Sequence, residues 1–242
     1  MYDNFVGGRW LAPAGDRYLA IPPGNPGVRG CRVARSCAAD VERALNAAQG
    51  ARAAWSLLQP EARAAYLRRT PDRASDHGVS LALADACDRG VAAHRVDWRR
   101  INGVVASLTA PLSRLLATFE DGDDRLASIG TASVLRLAFV AGTEVEAMCE
   151  RVVPLLLHGD VVVAALLYDD ARRLPVRLLA LMGLLACGLP PGVLNVVTGL
   201  GLEAGVALVA GPQARRSSVA PARSGRDRAA AHRDLGRSAH PA

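Results

Sequence analysis

Apolar residues recur at three- and four-residue spacing through Val41, Ala44, Leu45, Ala48, Ala51 and Trp55. That spacing predicts an amphipathic helix laying one stripe on a core. Ser36 stands before it as a candidate N-cap, with Asp40 in the first turn, where a carboxylate favours the positive helix end. Pro60 opens a second helical stretch to about Arg69, and Pro71 is expected to end it. Further helices are predicted over 79–89 and 96–119, the latter kinked or split at Pro111, which removes a backbone donor. From Ala132 the pattern changes to apolar runs alternating with helical periods. Strands are predicted at 134–140, 161–167 and 193–197, with helices at 144–157 and 176–187 between them.

Strand alternating with helix indicates βαβ units, and the run Val161–Leu167 suits a strand covered on both faces. The expected class is α/β: a partial Rossmann-like nucleotide-binding domain with parallel strands and a helical N-terminal region. Near the start, Asn4–Trp10 predicts a short hairpin turning at Gly7-Gly8. Residues 20–32 are rich in Pro and Gly and predict a loop leading into a strand at 32–34. Strand 193–197, being the last, is expected to leave an apolar sheet edge unpaired.

Charge divides the chain at about residue 210. Residues 211–242 carry seven Arg against Asp227 and Asp234, a net +5 out of the +6 of the whole chain. Val219 and Leu235 are the large apolar residues in that stretch, too few to offset the entropy of ordering it. A body at 1–210 and a basic, disordered tail at 211–242 are therefore expected. The tail has no aromatic residue for base stacking, so specific nucleic-acid binding is not expected. Lysine is absent and all 29 basic side chains are Arg, which excludes Schiff-base and phosphate-binding lysines. Residues 178–202 carry no charge, yet Pro190-Pro191 cuts the run and forbids one continuous spanning helix. Five cysteines without CxxC spacing, and an opening without an apolar leader, suggest reduced thiols and a cytoplasmic protein. No metal-ligand spacing occurs among the five histidines.

The candidate cofactor residues are Gly199, Gly201 and Gly205, which follow the last strand. Two readings fit them. Glycines let backbone N–H groups approach a phosphate at a helix N-terminus, or they form a left-handed turn joining strand to helix. Their GxGxxxG spacing departs from the GxGxxG of dinucleotide-binding folds.

Tyr2-Asp3-Asn4-Phe5-Val6-Gly7-Gly8-Arg9-Trp10, Val33-Ala34-Arg35-Ser36 with the helix after it, and Leu189–Gly205 together resemble the NAD(P)-dependent aldehyde dehydrogenases. The likeness is greatest to the bacterial acetaldehyde-type branch. It covers about residues 2–205, less than half of a full family chain, and so implies an incomplete, N-terminal nucleotide-binding half. The resemblance implies NAD or NADP as cofactor, and a homo-oligomer or a full-length relative as partner. It also implies a reaction in which a cysteine thiolate attacks an aldehyde, hydride passes to the cofactor, and a glutamate base assists hydrolysis. The family's Trp-Asn-Phe-Pro aligns with Ala141-Gly142-Thr143-Glu144, so the oxyanion-holding Asn is replaced by Gly142. Loss of one such donor costs about 3 kcal/mol of transition-state stabilisation. The family's ribose-gripping Lys aligns within Leu167-Tyr168-Asp169-Asp170, with Arg172 the nearby cation. The family's nucleophilic Cys and its Glu lie beyond the matching segment. No catalytic residue is therefore assigned, and the expectation is an inactive, truncated chain whose tail reads as out-of-frame translation.

Overall fold

The computed structural model describes residues 1–21, 30–120, 134–139, 144–168 and 176–210. Two of its strands, β1 (Asn4–Val6) and β2 (Arg9–Leu11), pair through the turn Gly7-Gly8. Both glycines have positive φ, 60° and 86°, as a two-residue hairpin turn requires. β3 (Tyr18–Ile21) and β4 (Cys31–Ala34) form a separate antiparallel pair. β5 (Leu135–Phe139), β6 (Val161–Tyr168) and β7 (Leu194–Leu200) run parallel. Across the main sheet the order is β2-β1-β7-β6-β5.

Eight α-helices surround these strands among the described residues: α1 (Ala38–Ser56), α2 (Pro60–Arg68), α3 (Thr70–Asp76), α4 (Gly78–Asp88), α5 (Ile101–Glu120), α6 (Val145–His158), α7 (Val176–Cys187) and α8 (Val206–Ala210). Helices α6 and α7 are the crossovers that let β5, β6 and β7 run parallel. The stripe of α1 packs against β6 and β7, with Val41, Ala44, Leu45, Ala48 and Trp55 buried. Trp55 also donates from Nε1 to the Leu156 carbonyl at 3.1 Å, so its one polar atom is satisfied where α1 meets α6.

Several local expectations change. The N-cap of α1 is Cys37, not Ser36. The Asp40 carboxylate accepts from the Cys37 N–H at 2.9 Å and from the Ala14 N–H at 2.8 Å, so it ties the entry loop as well as facing the helix dipole. Pro71 does end α2, but it also sits in the first turn of α3, where its missing N–H leaves no gap in the ladder. The stretch before residue 101 folds as 3₁₀ turns at Ala93–Arg95 and Trp98–Arg100. Helix α5 then runs through Pro111 without splitting. β3, too short to announce itself by alternation, was not foreseen, and its last two residues, Ala20 and Ile21, fall in the stretch expected to be loop.

The largest correction concerns β7, whose outer edge is not open. β1 lies along it antiparallel, with Phe5 opposite Val196. Asn4 Oδ1 accepts from the Thr198 N–H at 3.1 Å and from Ser36 Oγ at 3.0 Å. Ser36 in turn donates its N–H to the Thr198 carbonyl at 3.1 Å, and Thr198 Oγ1 donates to the Ala34 carbonyl at 2.8 Å. On the other side of Phe5, Gly7 N–H donates to Asn195 Oδ1 at 2.9 Å. Asn4, Ser36, Asn195 and Thr198 are all buried, so these bonds replace water along the edge. The first strand of the chain thus supplies the neighbour that the last strand lacks in local sequence.

Candidate functional site

Parallel strands end together, here at Phe139, Tyr168 and Leu200. In open α/β sheets the crevice outside these carboxyl ends is where ligands bind. After β7 the chain makes a π-helical turn, Gly201–Gly205, that continues directly into α8. Such widened turns insert an extra residue into a helix.

The three candidate glycines separate at this point. Gly199 lies within β7, opposite Leu167 of β6, rather than in the loop after it. Gly201 opens the π turn and Gly205 closes it. None of the three has positive φ, which overturns the left-handed-turn reading. Their physical role is close approach. A Cβ on Gly199 would stand 2.9 Å from the Ala204 Cβ and 3.3 Å from the Ser36 nitrogen, and one on Gly205 would stand 2.8 Å from Leu167 Cδ1. The strand end and the π turn therefore press together with no room for a methyl group.

A charged cluster borders this turn. Arg35, just after β4, donates from Nε to Glu203 Oε2 at 2.9 Å, and its terminal nitrogen pairs with Oε1 in a two-point grip. Arg17 stands 3.7 Å from the same carboxylate. The Arg35 guanidinium holds the Glu203 carboxyl below its ordinary range. Nearby, Tyr168 ends β6 with its hydroxyl buried and without a hydrogen-bond partner among the described residues. Burial pushes that hydroxyl up in pKa, and the Arg35 charge pulls the other way.

This arrangement fits a dinucleotide poorly. The carboxylate of Glu203 already takes up Arg35, so a phosphate would have to displace it. The glycine spaces are filled by Ala204 and Leu167 of the chain itself. Gly142, Asp169, Asp170, Arg172 and the tail 211–242 lie outside the described residues. Arg35, Arg17 and Glu203 were not foreseen as a group: they come from three separated segments, and only the position of Glu203 between Gly201 and Gly205 hinted at a role.

The sequence profile of the aldehyde dehydrogenase family matches residues 10–118. Fluoroacetaldehyde dehydrogenase of Streptantibioticus cattleyicolor is 35% identical over 229 residues, covering 88% of this chain and 42% of that protein. The chain belongs to the aldehyde dehydrogenase family. Acetaldehyde dehydrogenase 2 of Cupriavidus necator is 31% identical over 229 residues, with the same 88% and 42% coverage. Among solved structures, a variant of aldehyde dehydrogenase C from Pseudomonas syringae in complex with NAD+ and octanal superposes with a TM-score of 0.66. It is 26% identical, and the match covers 90% of this chain and 45% of that one. The chain spans about 42% of the length of the curated relatives named here.

Burial raises the pKa of two thiols outside the glycine segment. Cys149 is buried in α6, and desolvation together with Glu146 and Glu150 pushes it up to about 12. Cys187, exposed at the end of α7, is also raised, through partial burial. Cys37 serves as the N-cap of α1, and Cys31 and Cys87 face each other. A nucleophile needs the opposite setting, an electropositive site that lowers the pKa. Among the described residues no cluster of three metal-ligating side chains occurs, and no helix is long and apolar enough to cross a membrane.

Proposed function

We propose that residues 1–210 are the nucleotide-binding half of an aldehyde dehydrogenase that, as this chain, neither oxidises an aldehyde nor holds NAD or NADP tightly. The family reaction would be oxidation of an aldehyde to a carboxylic acid. The observation that carries the reading is the two-point Arg35–Glu203 pair at the turn after β7, which sets a carboxylate beside the ends of β6 and β7. The raised pKa of Cys149 and of Cys187 supports the absence of chemistry. Calorimetric titration with NAD+ and with NADP+ tests the proposal. The expected dissociation constant is weaker than about 1 mM, a binding free energy near −4 kcal/mol. Micromolar binding of either cofactor, or cofactor reduction with acetaldehyde, would overturn it.

A second reading, a non-catalytic assembly module that pairs with a full-length relative or with its own copy, has one observation in its favour. Leu202, Val206 and Val209 stand 86%, 56% and 59% exposed. They recur every three or four residues along the helical segment 201–210, so they share one face. Light scattering of the purified chain, alone and mixed with a full-length relative, decides it: a monomer in both samples removes this reading. Cytoplasmic residence belongs to the same proposal and is checked by fractionation.

A further inference from the structure

Cys31 and Cys87 are 56 positions apart in sequence, yet their sulfur atoms lie 2.7 Å from each other. Both are free thiols, and both are part-buried rather than enclosed. Cys31 opens β4, opposite Ile21 in the two-stranded sheet. Cys87 lies in the last turn of α4, just before Gly90 reverses the chain at a positive φ of 66°. A sulfur in a terminal turn can adjust by a small backbone movement, which matters because a disulfide has strict geometry. Tyr2 borders the pair, and its hydroxyl is driven up by burial and then by the two thiols and Asp88.

We propose that Cys31 and Cys87 are a dithiol that closes to an intramolecular disulfide on reaction with a low-molecular-weight disulfide. The deprotonated sulfur of Cys31 attacks one sulfur of the small disulfide, forming a mixed disulfide and expelling one thiolate. Cys87 gives its proton to that thiolate and attacks Cys31 Sγ, breaking the mixed bond and releasing the second thiol. Two protein thiols and one small disulfide become one protein disulfide and two small thiols, with two electrons passing from protein to reagent. Burial and the neighbouring Cys31 push the Cys87 thiol up to about 12, so it is the slower partner and resolves rather than initiates.

The bond would join the β3–β4 pair to the helical layer. The next residue, Asp88, accepts from the N–H groups of Val176 at 2.7 Å and Arg177 at 3.1 Å, so α4 already anchors the start of α7. Fixing Cys87 therefore also restrains the first turn of α7. The pair is separate from the Arg35–Glu203 site and does not depend on cofactor binding.

The test is to incubate the full chain with glutathione disulfide, block remaining thiols, and map peptides without reduction. The expected product is a single Cys31–Cys87 cross-linked peptide, with Cys37, Cys149 and Cys187 alkylated. The melting temperature should rise by about 5–10 °C, as expected for a loop of this length in a domain of this size. Cys31→Ser and Cys87→Ser should each abolish the rise, and Cys37→Ser should keep it. Slower hydrogen exchange at Val176 and Arg177 after oxidation is the second readout, made on the unmutated chain. Glutathione retained at Cys31 without closure, dimers linked through Cys187 while Cys31 and Cys87 stay free, or no reaction at either thiol would overturn the proposal.

Discussion

The two ends of the parallel sheet use the same chemistry, arginine against carboxylate, under opposite conditions. At the end where β6 begins, Asp160 is 0% exposed and accepts from the Val134 N–H at 2.8 Å and from Arg136 Nε at 2.9 Å. Arg63 is buried beside it, against the backbone of Gly159, whose φ of 98° ends α6. Burial lowers the Arg63 pKa, and the Asp160 charge raises it. At the other end, Arg35 and Glu203 remain partly open to solvent. The first set is a dry joint whose members depend on one another. The second is a solvent-screened contact that adds little to stability, and in the reading proposed above it keeps the site taken up by the chain's own carboxylate.

That contrast is broken most directly at Asp160. Asp160→Asn leaves Arg136 and Arg63 without their buried counter-charge and is expected to destabilise the chain by about 3–5 kcal/mol in urea unfolding. A loss below about 0.5 kcal/mol would remove the distinction between the two ends. Next in size is Asn4→Ala, which strips the acceptor from the Thr198 N–H and Ser36 Oγ along the β7 edge. About 1–3 kcal/mol should be lost, with faster hydrogen exchange at the Thr198 amide. Unchanged exchange there would mean that β1 does not close the edge.

Gly199→Ala and Gly205→Ala sharpen the comparison within the site end. The alanine at 199 meets Ala204 Cβ and the Ser36 backbone, and should cost about 1–3 kcal/mol. The alanine at 205 meets the tip of one flexible leucine and should cost less. Equal losses would show that crowding against backbone is not what selects glycine at 199.

Glu203→Gln should have the smallest effect on stability, because its ion pair is solvent-screened. Its signature is in pH. Arg35 depresses the Glu203 pKa, so the stabilisation is present above the ordinary carboxylate range and is lost as pH falls through the depressed value. The variant should melt at nearly the wild-type temperature at neutral pH and lack that acid component. It should also bind NAD+ more tightly than wild type, and titration showing weaker binding would contradict the blocking role given to Glu203.

Much of this fold was legible because its signals are local. The period of α1 and the bounds of α7 were readable from spacing alone, and the three parallel strands from their apolar runs. Pro71 was read as an end and not also as a beginning, since a proline near a helix boundary serves either. The long-range pairings were beyond local reading: Asn4 meets Thr198, and Arg35 meets Glu203, across most of the chain. The glycines of the site were found by position, but their reason, contact with Ala204 and Leu167, depends on neighbours brought in by folding.

The pairing of β1 with β7 has a consequence in time. Phe5 faces Val196, so a strand made among the first residues waits for one made near residue 200. At about 5–20 residues per second of synthesis, that wait is on the order of 10–40 s. During it Phe5 and Val6, buried in the finished sheet, have no strand β7 to pair with. A ribosome-bound chain would therefore carry an apolar, unpaired hairpin until almost all of the described sequence had emerged. The step that completes the sheet thus waits until β7 has emerged, and whatever shields that hairpin in the interval governs how much chain reaches the folded state.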